Sequence, residues 1–318
     1  MKNDSVQKSY YLMQLEALVH RLKLQNITQQ LDAALGKERS GYIGENKLPY
    51  YLSLDSEEKI LLYGLRIPWH DHFFQIDCLT IYLNKIFIIE VKHMKGKLSL
   101  NEADQLVQEV DENMIEVFDH PLIQAQVQQQ KLEAVLHMHN LQHPPIYSLV
   151  VFTHPKANLQ FQHPDMITAQ QLPIRLKSLL RSSDSSSYSI SHLKKIAVFL
   201  TKHHRDRKVN TLEKFGIPPK QVIRGVFCPN CQQVKAKRIH GTWQCPKCGL
   251  KDKTMHIHAL RDWAYIFGPT ITNKQARYFL EINSIHVVRR LMLLLQLQFS
   301  GYKKNRCYHL ESIMYHSS

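Results

Sequence analysis

Apolar residues recur at two different periods along the chain, and each change of period marks an element. In residues 5–35, Leu12, Leu15, Leu18, Val19 and Leu22 fall three and four apart, which predicts a helix. Gly36 and Gly41 punctuate its end, and a second helix is expected around Tyr42 to Leu54. Lys59 to Ile67 reads as a strand closed by Pro68. Phe73-Phe74-Gln75-Ile76-Asp77 and Ile86-Phe87-Ile88-Ile89-Glu90-Val91-Lys92 are dominated by apolar, β-branched and aromatic residues. They read as two strands of a hairpin turned at Asn84-Lys85. Residues 101–118 are acidic and predict loop or short helix. Pro121 opens a long helix to about Met138, and Pro145 to Phe152 reads as a central strand buried on both faces. A short strand and a helix are expected over 167–180, a serine-rich loop over 182–189, and a closing helix from Ser191 to His203. Strands mixed with helices make this region an α/β sandwich with a mixed central sheet.

The hairpin carries the chemistry. Side chains alternate along a strand, so Glu90 and Lys92 share one face while Val91 points to the other, and Gln75 and Asp77 also share a face. Pairing of the two strands lets a carboxylate from one meet a carboxylate and an ammonium from the next. Two acids and a lysine on an apolar sheet are costly unless something pairs them. A divalent cation would do so, and carboxylate oxygens suit Mg²⁺ or Mn²⁺. Lysine could then orient or deprotonate a bound water, or steady charge on a phosphate. A surface ion pair at a strand end is the other reading of the same residues.

Asp77 followed by Glu90-Val91-Lys92 resembles the Asp…Glu-x-Lys core of the PD-(D/E)XK nuclease superfamily. The surrounding residues are similar to the nuclease-related domain (NERD) family: Gly44-Glu45, Gln75-Ile76-Asp77, Ile89-Glu90-Val91-Lys92, Gly96, Pro121 and Gln124. The similarity covers about residues 40–200. It implies a restriction-endonuclease-like fold, with Glu45 on the first helix helping Asp77 and Glu90 hold the metal. It also implies that Gln124, on the helix after the core strands, orients substrate or water. Family members often carry Asn before this proline, where this chain has His120.

Charge changes the picture in the last third. Residues 201–318 hold 21 Lys/Arg against 6 Asp/Glu, a balance of +15, whereas residues 1–200 hold 20 against 21. A basic module beside a neutral one points to a polyanion, most simply nucleic acid, with DNA the expected form. A solvated basic surface without a partner is the plainer reading. No apolar run approaches about 18 residues, and Met1 to Tyr10 is polar without a signal core, so a cytoplasmic protein with no membrane partner is expected.

Four of the six cysteines form two CxxC pairs, Cys228-Pro-Asn-Cys231 and Cys245-Pro-Lys-Cys248, with thirteen residues between them. Each pair presents two thiolates to one ion, so the four predict a closed, structural Zn²⁺ site in a ribbon. Lys235, Lys237, Arg238 and Trp243 offer charge and a stacking face nearby. Cys78 is expected in the core. His203-His204 and His256-x-His258 are expected as surface or core residues rather than ligands.

Beyond the ribbon, Thr272 to Leu291 looks like a helix-turn-helix, with Ala276, Leu280, Ile282, Val287 and Leu291 as its apolar face. Gly301 to Leu310 resembles the basic wing of a winged helix. Ser284, His286, Arg289 and Arg290 would then face a groove, and Lys303, Lys304 and Arg306 would meet phosphate. Arg277 and Glu281 replace the usual small residue and turn glycine. A small helical cap is the alternative.

The expected domains are an N-terminal helical arm (1–38), a nuclease-like domain (39–203), a linker (204–224), a zinc ribbon (225–252) and a mainly helical basic module (253–318). The leading function is metal-dependent phosphodiester hydrolysis in nucleic acid. Its alternatives are a DNA-binding or regulatory protein with an idle nuclease core, and an assembly protein whose N-terminal helix and ribbon bind other proteins or a second copy.

Overall fold

The computed structural model describes residues 5–111, 114–181, 188–302 and 305–314. Contacts divide the chain into two units, Met1–Ser9 with Lys37–Arg207, and Tyr10–Gly36 with Lys208–Ser318. Where one helix is expected over 5–35, the chain forms α1 (Tyr10–His20), a 3₁₀ turn at Leu24–Asn26, and α2 (Gln29–Glu45). Thr28 starts α2, its Oγ1 accepting the Leu31 N–H at 3.2 Å. The helix continues through Gly36 and Gly41, at about 1 kcal/mol each relative to alanine. The helix expected from Tyr42 is therefore displaced to α3 (Leu48–Ser53), with Pro49 in its first turn. Glu45 consequently ends a helix instead of beginning one.

The first unit is built on a five-stranded mixed sheet. Its strands are β1 (Lys59–Trp69), β2 (His72–Tyr82), β3 (Ile86–Lys92), β7 (Ile146–Phe152) and β9 (Met166–Thr168), in that spatial order. The first three pair antiparallel, and β7 and β9 add parallel. Pro68 lies inside β1 and does not close it, because β1 is an edge strand and its missing N–H interrupts no ladder on the free side.

Helices cover both faces of this sheet. On one, Leu132, Val135 and Leu136 of α4 (Pro121–Met138) and Leu193, Ile196 and Leu200 of α6 (Ile190–His203) meet Leu79, Ile81, Ile86 and Ile88. On the other, Leu48 and Leu52 of α3 and Leu172 and Leu176 of α5 (Leu172–Arg181) pack with Cys78, Phe87, Ile89, Leu149 and Val151. Full burial of each such side chain contributes about 1.5–3 kcal/mol.

Within 101–118, residues 106–111 and 114–118 form strands where loop or short helix is expected. β4 (Gly96–Leu100), β5 (Leu106–Asp111), β6 (Met114–Phe118) and β8 (Ala157–Leu159) make a second sheet in the order β6-β5-β4-β8. The described side chains of β6 are exposed on both faces, so burial imposes no apolar alternation on it and its sequence hides the strand.

In the second unit, Arg21 is nearly fully buried. Its Nε donates to Asp262 at 2.7 Å, one terminal nitrogen donates to the Gly225 carbonyl at 2.7 Å, and its plane lies 4.3 Å from the Phe227 ring. Residues expected as linker supply α7 (Thr211–Lys214) and bury Leu212, Phe215, Ile217 and Val222. Five short strands follow: β10 (Phe227–Cys228) with β11 (Gln232–Lys235), and β12 (Lys237–Ile239) with β13 (Thr242–Gln244) and β14 (Lys251–Asp252). Then come α8 (Met255–Phe267), β15 (Thr270–Thr272), α9 (Asn273–Leu280), α10 (Ile285–Leu294), β16 (Phe299–Ser300), β17 (Cys307–His309) and α11 (Glu311–Met314). β15, β17 and β16 form an antiparallel sheet in that order. Among the described residues, no helix is long and apolar enough to cross a membrane.

Candidate functional site

The ladder between β2 and β3 runs from Ile81↔Ile86 to Cys78↔Ile89 and stops there. The next pair would be Asp77 and Glu90. Instead, the Val91 N–H turns to the Asp77 carboxylate, donating to Oδ2 at 2.9 Å. Breaking the ladder at this point leaves a carboxylate where a backbone carbonyl would stand. Opposite Asp77, β1 carries Gly64 in the left-handed region (φ 57°), and nothing lies within 4 Å of where a Cβ would be.

Glu90 and Lys92 share a face, as alternation predicts. Lys92 Nζ lies 2.8 Å from Glu90 Oε1 and donates to Gln124 Oε1 at 3.0 Å. Glu90 is 4% exposed, and its second oxygen accepts from Gln128 Nε2 at 3.0 Å. The resemblance singled out Gln124 and gave Gln128 no role. The signal was their spacing, since residues four apart on α4 lie on one face. Gln128 Oε1 is buried without a hydrogen-bond partner. Gln75 is exposed, and among the described residues no hydrogen bond ties its side chain to this group.

Glu45 arrives from the end of α2 by a close approach. A Cβ on Gly44 would lie 2.7 Å from the His93 Cβ and 2.9 Å from Thr153 Oγ1, so only glycine lets the helix end reach β3 and β7. Gly44→Ala is expected to destabilise the protein by about 1–3 kcal/mol, the usual range for overpacking. Chemical denaturation measures it, and unchanged stability would contradict the contact. Burial first, then the charges of Glu38 and Glu90, push the Glu45 carboxyl up to about 7. Asp77 is raised by burial, then by Glu90 and Glu45, with the Val91 N–H and Lys92 opposing. Glu45 and Asp77, both held toward their neutral forms beside Glu90, make with it an oxygen-donor set whose mutual repulsion a hard divalent cation would relieve.

The cysteine cluster is tighter. Among the described residues, Cys228, Cys231, Cys245 and Cys248 are the group whose ligand atoms all lie within 4.8 Å of one another, a spacing the three carboxylates do not reach. Cys228 ends β10 and Cys245 follows β13, while the Gly249 N–H donates to the Cys245 carbonyl at 3.0 Å to close the second knuckle. N–H groups of Cys248 and Lys247 lower the Cys245 thiol to about 7. Four sulfurs so placed could hold zinc. The neighbouring Trp243 is buried, its N–H 3.4 Å from His256 Nδ1, and so offers no stacking face. His256 is itself buried, and its burial pushes it down to about 4.

In the basic module, Thr272 caps α9 and Ser284 caps α10 through side-chain acceptors. Glu281 takes the left-handed turn position (φ 55°) where glycine is usual. Ser284 sets the phase of α10, which turns Val288, Leu291 and Met292 inward and leaves Val287, expected in the apolar face, half-buried. Ser284, His286, Arg289 and Arg290 are exposed, as expected. Arg306 is half-buried, with its guanidinium 4.1 Å from the Phe299 ring instead of facing out. Lys303 and Lys304 lie outside the described residues.

Residues 40–153 match the family model described as the nuclease-related domain (NERD), covering the first part of the resemblance read over 40–200. No curated protein and no solved structure matches the chain.

Proposed function

We propose that the nuclease-related domain found at residues 40–153 hydrolyses phosphodiester bonds in nucleic acid, with DNA the expected substrate, using Mg²⁺ or Mn²⁺. The observation that carries this reading is the broken ladder at Asp77, beside Glu90, Lys92 and Gln124 in one hydrogen-bonded group. Asp77 and Glu90, with Glu45, would hold the ion, which supplies an activated water and stabilises the departing oxygen. The Val91 N–H fixes Asp77, and Gln128 fixes Glu90. Lys92, held by Glu90 and Gln124, would orient or deprotonate the attacking water at its Nζ, or donate to a phosphate oxygen. The test is a cleavage panel of the full chain with Mg²⁺ and Mn²⁺ on single- and double-stranded DNA and RNA. Metal-independent results, or no cleavage of any substrate, would overturn it.

The carboxylates also make a pH prediction. Glu45 has its ordinary pKa near 4.5 and a folded value of about 7. The folded state therefore holds the extra proton, and the Glu45 contribution to stability falls as pH rises from about 4.5 to about 7 and is constant above. Mg²⁺ bound there removes that penalty. Thermal unfolding is expected to show a larger Mg²⁺ stabilisation at pH 8 than at pH 5; equal shifts would contradict the site.

The C-terminal order α8-β15-α9-α10-β16-β17 fits a winged helix in which exposed Ser284, His286, Arg289 and Arg290 face nucleic acid. With a balance of +15 over residues 201–318, affinity is expected to fall steeply between 50 and 200 mM salt, by about 10³-fold or more if six or more phosphates are neutralised. A salt titration of binding checks it, and a flat response would reassign this region to protein contact. In the same reading, the four cysteines hold a structural Zn²⁺.

A further inference from the structure

We propose that His154, backed by His93 and flanked by Lys95 and Lys156, seats a backbone phosphate adjacent to the one that is cleaved; this rests on the nuclease reading above. The parallel strands β3 and β7 end together, with Lys92 opposite Phe152 and the Thr153 N–H donating to the Lys92 carbonyl at 2.9 Å. One step further, His93 and His154 bring their rings to 4.8 Å between centroids. Both therefore stand at the strand ends that present Lys92. His93 is fixed by Thr153, with Nδ1 3.0 Å from Oγ1, and by the close approach of Gly44, the residue before Glu45.

His154 has a defined donor. Its Nδ1 accepts the Lys156 N–H at 3.0 Å, so the neutral ring carries its proton on Nε2, at the opposite side of the ring. Lys95 and Lys156 come together where the Gly96 N–H donates to the Lys156 carbonyl at 2.9 Å. Burial lowers His154 below the ordinary histidine range, and the ammonium groups of Lys47, Lys95 and Lys156 lower it further. Lys47 follows Glu45 by two residues at the end of α2, so the cationic group begins where the carboxylate group ends. Carboxylates on one side suit a metal, and an N–H donor among ammoniums on the other suits a phosphate anion. A polynucleotide satisfies both at once, because its charges repeat along the chain.

Two measurements on the full-length protein test this. In the first, thymidine 3′,5′-bisphosphate is titrated into wild-type protein with Ca²⁺ while histidine ring resonances are followed by NMR, His154 being identified by its loss in His154→Gln. Saturable movement of the His154 resonance is expected; a resonance unmoved at millimolar bisphosphate would overturn the proposal. In the second, oligonucleotide cleavage by His154→Ala is expected to raise KM about tenfold, the scale of one charged hydrogen bond, with kcat within about threefold. His154→Gln, which keeps an N–H donor, is expected to recover most of that loss. An unchanged KM, or a loss confined to kcat and not recovered by glutamine, would overturn it. If wild type cleaves nothing, the nuclease reading fails, and the NMR titration still decides whether the phosphate seat exists.

Discussion

Glu90→Ala is expected to lower Mg²⁺-dependent cleavage by at least about 10³-fold, equivalent to about 4 kcal/mol of transition-state stabilisation, while the fold survives. In the proposed site Glu90 would contribute one charge to the cation, and it anchors both Lys92 and Gln128. Its loss removes a ligand and frees the lysine together. Stability should hold, because Glu90 also repels Asp77 and Glu45, and alanine relieves that repulsion. Lys92→Ala is expected to cost about 10²-fold, the lower end of proton-transfer catalysis. Initial rates of the two variants, with circular dichroism as the check on folding, decide the matter. A wild-type rate in either variant would place the chemistry elsewhere.

Removing zinc is expected to unfold the ribbon. Four sulfurs within 4.8 Å of one another repel once ionised, and β10 to β14 comprise strands of only two to four residues. So small a hydrophobic core cannot hold that arrangement. Binding of a structural zinc contributes about 10–16 kcal/mol in isolated finger peptides, which makes it the dominant local contribution. One zinc per chain should co-purify. Cys245→Ser, or a strong chelator, should release it and expose the amides of residues 227–252 to hydrogen exchange. Freshly reduced protein with no zinc by elemental analysis would refute the site.

Much of the site could be read locally. Alternation along one strand put Glu90 and Lys92 together, CxxC spacing put four sulfurs together, and α4 was expected at Pro121 to Met138 and is found there. The starts of α9 and α10 are equally local, since the Thr272 and Ser284 side chains accept N–H groups three residues on.

What lay beyond the sequence depended on partners far along the chain. Gln128 is set apart from the other glutamines of α4 by its burial against Glu90, thirty-eight residues earlier. Glu45 moved from a helix start to a helix end because interior glycines weaken a helix without ending it, and Gly44 earns its place only against His93 and Thr153. β6 escaped notice because a strand exposed on both faces carries no burial pattern. Arg21, in what read as an arm, is buried between Asp262 and Phe227 of residues more than two hundred positions away. Periodicity and ligand spacing are properties of neighbours in the chain, and the sequence alone determined them. Which polar groups lose their water, and which charges must then share one space, was decided only when the tertiary fold brought distant residues together.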